Sequence, residues 1–139
     1  LEQVKAFMAL PGSQLLPDFI ARHAIDPVRA YDLSKEAIVV WTMRQCAALA
    51  PRGIRVNCVS PAAVATRILD DFMRAFGERA EKGVARVGRP GTAAEVARTI
   101  VFLAGPDSSW INGQNIAVDG GMGVMLQADA LGLTAPAAD

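Results

Sequence analysis

From Val28 to Ala50 the chain runs twenty-three residues without a glycine or proline, and a seven-residue stretch rich in β-branched types, Ile54 to Ser60, follows between Gly53 and Pro61. Leu33, Ala37, Val40, Trp41, Ala47 and Ala48 recur at helical spacing, and Ile38, Val39, Cys46 and Leu49 widen the apolar face. The pattern predicts a helix buried on several sides, ended by Pro51 and Gly53. Ile54 to Ser60 predicts a strand.

Shorter elements flank this pair. Residues 1–10 predict a helix closed by Pro11 and Gly12, and a second apolar stretch, Leu15 to Ile25, stops before Pro27. A helix is expected from Arg67 to Phe76, and Gly77, Gly83, Gly88, Pro90 and Gly91 then predict a broken, loop-rich stretch. Thr92-Ala93-Ala94-Glu95 is a capping box that opens a helix through Ala104, stopped by Gly105-Pro106. Gln114 to Val118 predicts a last strand closed by Asp119-Gly120-Gly121, and the Ala-rich end from Gln127 is expected to fray or pack as a tail. Helix, strand, helix, helix, strand, with few polar alternations in the strands, predicts an α/β fold with a parallel sheet covered on both faces.

Composition narrows the function classes. With 139 residues and 52% hydrophobic side chains, the chain has the apolar surface for a single globular domain. Fourteen basic residues balance fourteen acidic ones and none cluster with aromatics, so nucleic acid is not an expected partner. No run reaches the length of a membrane span, and no signal-peptide order opens the chain, which predicts a soluble protein with no membrane partner. Cys46 and Cys58 stand singly in apolar surroundings, the pattern of reduced, cytoplasmic cysteines. The chain enters mid-pattern on Leu1, and a further segment upstream is expected.

The chemistry centres on Tyr31 and Lys35. They lie four apart at the start of the long helix, on one face and one turn apart, and Tyr31 is the only tyrosine. An ammonium held close to a phenol favours its phenolate, and such a pair can act as general acid or base on an alcohol or carbonyl. Alone, this spacing equally describes an ordinary helix-surface pair.

The surrounding motifs add a resemblance. Tyr31-Asp32-Leu33-Ser34-Lys35-Glu36-Ala37, followed by Arg52-Gly53-Ile54-Arg55-Val56-Asn57-Cys58-Val59-Ser60-Pro61, resembles the Tyr-x-x-x-Lys helix and succeeding strand of the short-chain dehydrogenase/reductase family. Gly88-Arg89-Pro90-Gly91-Thr92-Ala93-Ala94-Glu95-Val96-Ala97 is similar to the family's loop and capped helix. Phe102-Leu103, Ser108-Ser109, Ile111-Asn112-Gly113-Gln114 and Val118-Asp119-Gly120-Gly121 are similar to its last helix, turn and strand. The resemblance covers residues 28–124. It implies the C-terminal portion of a Rossmann-type doubly wound parallel sheet, with the N-terminal half absent from residues 1–139. It further implies an oxidoreductase that moves a hydride between NAD or NADP and an alcohol or ketone. Tyr31 would give or take the proton, while Lys35 would stabilise its phenolate and hold the nicotinamide ribose. Pro61, Ala62, Val64 and Thr66 match the loop that lines the nicotinamide pocket, and Thr66 can also cap a helix ahead of Arg67. Family members act as homodimers or homotetramers. Spacing of four between Tyr and Lys favours carbonyl and alcohol chemistry, because the family's enoyl reductases separate these residues more widely.

Several departures qualify the resemblance. Ala62 stands where the family has Gly, placing a methyl near the cofactor's path. Position 18, thirteen residues before Tyr31, is Asp rather than the family's serine, and Ser13 is poorly placed, so that serine is expected upstream of Leu1. No G-x-x-x-G-x-G or G-x-G-x-x-G occurs, so neither the diphosphate cradle nor the choice between NAD and NADP can be read. The stretch before Tyr31 is similar to the subgroup with a helical insertion there, which includes bacterial 3α-hydroxysteroid dehydrogenase/carbonyl reductase and coniferyl-alcohol-dehydrogenase-like proteins. Residues 1–27 would be that insertion and 125–139 a tail, with the final helix and strand left for subunit contact. Phe7, Met8, Leu15, Leu16, Phe19 and Ile20 are then expected in the insertion's core or lining a substrate pocket.

The remaining polar and aromatic residues suggest no second chemistry. His23 is the only histidine, so a histidine-based triad or metal cluster lacks partners, and no metal ligand is assigned. Trp41 and Trp110 are expected in packing, Trp110 also in a subunit contact, and Asp119 in a sheet-ending turn. The alternative to an enzyme is a truncated or degenerate dehydrogenase half that serves as a folding or oligomerisation module.

Overall fold

The computed structural model describes residues 1–133. It is an α/β structure with a parallel sheet. Two compact units divide it, Leu1–Cys58 with Asn112–Gln114, and Val59–Ile111 with the residues from Asn115 onward.

The first unit is three helices and the start of a strand. In α1, Glu2–Met8, buried Val4 and half-buried Phe7 and Met8 share one face. A 3₁₀ turn, Ser13–Leu15, leads into α2, Leu16–His23, whose Phe19 is buried. α2 ends at Ala24 in the left-handed region, at φ 49°. The long helix, α3, spans Pro27–Leu49. Its start is built from Asp26-Pro27: the Asp26 carboxylate accepts from the Arg29 amide at 2.7 Å, and Pro27 occupies the first turn, where its missing N–H costs nothing. Val4, Phe19, Leu33 and Ala37 form one cluster, with Phe7, Met8, Leu10, Ile25 and Val40 packed against it.

Two expectations for this unit are corrected. Of the six apolar residues placed in core or pocket, Phe19 is core, Phe7 and Met8 pack beside it and Leu16 is half-buried, but Leu15 and Ile20 face solvent. The long helix is not covered on several sides: Leu33, Ala37 and Thr42 are buried and Val40 packs against the cluster, while Ile38, Trp41 and Met43 are exposed, Trp41 by 51%.

The strand β1 spans Cys58–Pro61, shorter than the expected Ile54 to Ser60. Upstream, side chains replace ladder bonds: Asn112 Oδ1 accepts the Val56 amide at 2.8 Å, and Asn57 Oδ1 accepts the Gln114 amide at 3.0 Å. Backbone bonds from Gly113 to the Val56 carbonyl and from Cys58 to the Gln114 carbonyl, both 2.9 Å, complete this seam.

In the second unit, β1 continues beside β2, Asn115–Val118. α4 spans Leu69–Phe76, α5 Glu78–Val87, α6 Ala93–Ala104 and α7 Met122–Ala130. The expected loop-rich stretch is therefore mostly helix. Gly77 and Gly88 flank α5, and Gly88 takes the left-handed φ of 86° that ends it. Gly83 lies inside α5, where a Cβ would come within 2.8 Å of Met122 Sδ, so it marks a close approach to α7 rather than a break. The Ala-rich end is helical to Ala130 and packs through an Arg86–Asp129 ion pair, while residues 134–139 lie outside the described residues. The capping box forms as expected, and α6 stops at Ala104 before Gly105-Pro106. Trp110 is 98% exposed and Val101 71%, so the expected packing of Trp110 is not made among the described residues. Among the described residues no helix is long and apolar enough to cross a membrane.

Candidate active site

The first group of candidate residues stands at the start of α3. Asp26 and Pro27 fix where that helix begins, and the four-residue spacing then stacks Lys35 one turn beyond Tyr31. The Lys35 ammonium lies over the Tyr31 ring, 5.1 Å from its centroid, a cation–π arrangement. The ring is 43% exposed and Lys35 is exposed, so both are open to a ligand from the solvent side. The Ser34 hydroxyl donates to the Tyr31 carbonyl at 2.7 Å, which turns it onto the backbone.

A network on the flank of this pair was not read from the sequence. Arg29 donates to both Glu36 oxygens, at 2.6 and 2.9 Å, and to Gln3 Oε1 of α1 at 2.7 Å. This hydrogen-bonded guanidinium holds the Glu36 carboxyl below its usual value. Its signal was the seven-residue separation of Arg29 and Glu36, two helical turns on one face.

The second group belongs to the second unit. Pro61 closes β1, and Ala62, Val64 and Thr66 follow in the loop beyond its carboxyl end, where open α/β sheets bind ligands. Gly91 holds this loop: its amide donates to the Ala63 carbonyl at 2.9 Å, and its carbonyl accepts from the Ala65 amide at 2.8 Å, giving a parallel bridge at Val64. Ala62 is half-buried, and Ala24 is the one non-glycine with positive φ among the described residues, so the Ala62 methyl meets no left-handed backbone. Thr66 is exposed and does not cap a helix from Arg67. α4 begins two residues later, at Leu69, with Ile68 at the cap position, and only the Thr66 carbonyl takes part, accepting from the Leu69 amide at 3.0 Å.

Gly91 is framed by a second network missed in the sequence. Arg89 donates to Glu95 at 2.7 and 3.1 Å, and Glu95 accepts from the Thr92 amide at 2.7 Å and its hydroxyl at 2.9 Å. The Arg89 guanidinium, with Thr92, pulls the Glu95 carboxyl down to about 2. The capping box was legible, but the arginine fork three residues before it was not.

The remaining candidates have structural roles. The His23 ring lies against Phe19, tilted by 41°, at 4.4 Å between centroids. Both Asp119 oxygens cap the start of α7, accepting the Gly121 and Gly123 amides at 2.9 and 2.8 Å.

Comparison with known proteins shows the family of the chain. A family model described as enoyl-(acyl carrier protein) reductase matches residues 1–123. Coniferyl-alcohol dehydrogenase of a Pseudomonas species is 39% identical over 106 residues, which are 75% of this chain and 42% of that protein. The 3α-hydroxysteroid dehydrogenase of Pseudomonas sp. B-0831, solved with NADH, is 34% identical with a TM-score of 0.79, over 91% of this chain and 50% of that one. An NADPH-dependent reductase of bacilysin biosynthesis is 30% identical with a TM-score of 0.53, over 63% of this chain and 37% of its own. The chain belongs to the short-chain dehydrogenase/reductase family. It spans 42% of the coniferyl-alcohol dehydrogenase and half of the hydroxysteroid dehydrogenase, the two kinds of relative whose subgroup its sequence resembles.

Proposed function

We propose that this chain carries the proton-transfer residues of an NAD- or NADP-dependent oxidoreductase acting on an alcohol or ketone. The observation that carries the reading is the Lys35 ammonium 5.1 Å over the exposed Tyr31 ring, at the start of the helix where the family's catalytic pair belongs. In reduction, the Tyr31 hydroxyl gives its proton to the carbonyl oxygen. In oxidation, the Tyr31 phenolate takes it from the alcohol. Lys35 binds the ribose hydroxyls. The nicotinamide, when bound, supplies or accepts the hydride.

The residues present suit the nicotinamide end of that cofactor. Tyr31 and Lys35 are open to solvent, and the loop with Pro61, Ala62, Val64 and Thr66 is pinned by its backbone, leaving the Thr66 side chain exposed. The diphosphate end has no glycine-rich cradle in these 139 residues. We place that cradle, and the family's serine, in polypeptide upstream of Leu1. Residues 1–27 are the insertion that marks the hydroxysteroid dehydrogenase subgroup. The match over 91% of the chain to that enzyme, against 63% to the bacilysin reductase, supports this. A cytoplasmic homodimer or homotetramer is the expected assembly.

The reading is tested on the complete gene product with a panel of steroids, aromatic alcohols, small ketones and an enoyl thioester, each with NAD(H) and NADP(H). Turnover of an alcohol or ketone is expected. Turnover of the enoyl thioester alone, as the family model's description would have it, would overturn the alcohol/ketone assignment. Binding of neither cofactor would favour a non-catalytic folding or oligomerisation module.

A further inference from the structure

We propose that Arg89 and Glu95 are positioning residues for the nicotinamide loop, acting through the backbone of Gly91. The inference rests on the cofactor reading of residues 61–66 given above. That loop is tied through one residue: Gly91 donates to the Ala63 carbonyl at 2.9 Å and accepts from the Ala65 amide at 2.8 Å, so Val64 is held between two bonds to a single partner. Where Gly91 sits therefore decides where Val64 presents itself.

Gly91 is in turn enclosed. Pro90 before it has a fixed φ. Arg89 forks onto both Glu95 oxygens at 2.7 and 3.1 Å and donates again to the Pro90 carbonyl at 3.0 Å. The Glu95 oxygen that takes the longer of those bonds also accepts the Thr92 amide and hydroxyl. One carboxylate thus closes the turn from Arg89 to Glu95 around Gly91. A capping box alone needs only Thr92 and Glu95, and α6 has that already. The arginine adds a bond across the turn that the helix does not require. Both side chains reach solvent, so the fork adds little to global stability, and its effect is local to the turn and the loop bonded to it.

The test uses the complete gene product with three variants, Arg89→Ala, Arg89→Lys and Glu95→Gln. Glu95→Gln keeps an oxygen for Thr92 while removing the charge that Arg89 grips, so it stays folded if Arg89→Ala does not. NADH and NADPH dissociation constants are read by fluorescence titration, and amide hydrogen exchange is followed at Ala65, Gly91 and the interior of α6. Arg89→Ala is expected to weaken the bound cofactor about two- to fivefold, the scale of one lost exposed ion pair. It should speed exchange at Ala65 and Gly91 and leave α6 unchanged. Arg89→Lys recovers part of both effects, and Glu95→Gln moves both in the same direction as Arg89→Ala. Faster exchange at Ala65 and Gly91 with unchanged cofactor affinity would overturn the positioning role. So would exchange that does not respond to Arg89→Ala. A parent protein that binds neither NADH nor NADPH would overturn the nicotinamide reading itself, while the exchange data would still report whether the fork holds Gly91.

Discussion

Gly113 has φ 72°, and a Cβ built on it would meet Cys46 Sγ at 2.9 Å and Cys46 Cβ at 3.2 Å. The turn that carries Asn112 and Gly113 presses onto α3, so there is no room for a methyl. Gly113→Ala should destabilise by about 1–3 kcal/mol, the usual cost of overpacking, seen as a lower urea midpoint with unchanged slope. Ala24 presents the opposite case, a non-glycine at φ 49° with its strain built in. Ala24→Gly should stabilise by up to about 1 kcal/mol, seen as a higher urea midpoint, since a left-handed Cβ costs roughly that much. Tyr31 and Lys35 were legible at this scale because one helix fixes their separation. The cap role of Thr66 was misread because α4 starts at Leu69 and the loop's partner, Gly91, is remote in sequence.

At the scale of elements, the capping box was the mark that held: Thr92 with Glu95 opens α6 through local hydrogen bonds. The Asp26 cap and Pro27 that open α3 are equally local but were not read as a helix start. Thr92→Ala should cost about 0.5–2 kcal/mol, measured by chemical denaturation. Glu95 adds a pH dependence. Its carboxyl sits at about 2 in the fold against an ordinary 4.5, held down by Arg89 and Thr92. A depressed carboxylate stabilises fully above its unfolded value and loses that contribution as pH falls through its folded value. The stability difference between the parent and Glu95→Gln, small because both side chains reach solvent, should therefore be constant above about pH 4.5 and shrink between there and about pH 2. A difference that persists unchanged at pH 2 would contradict the assigned hydrogen bonds. The glycine-rich region misled because Gly83 was taken as a breaker; a glycine required by Met122 against α5 looks the same in sequence as one required by a turn. The strand was overestimated for a related reason, since Asn57 and Asn112 satisfy by side chains the backbone groups that a longer ladder would pair.

For the whole molecule, the composition promised more core than the chain builds. Among the described residues the buried apolar side chains are Val4, Phe19, Leu33, Ala37 and Ala80, while Trp41, Val101 and Trp110 stand exposed. Apolar surface of this kind is common at interaction sites, and the sequence could not show it because hydrophobic residues read as interior wherever they fall. The 139-residue chain alone should bind a hydrophobic dye and show no turnover with NAD or NADP; measurable turnover would remove the need for an upstream cradle. The central claim, that Tyr31 moves the proton, is tested most directly by Tyr31→Phe in the complete gene product, with turnover and cofactor affinity measured side by side. The account predicts a loss of turnover of at least about a hundredfold with cofactor dissociation constants close to those of the parent. Turnover retained in Tyr31→Phe would contradict it.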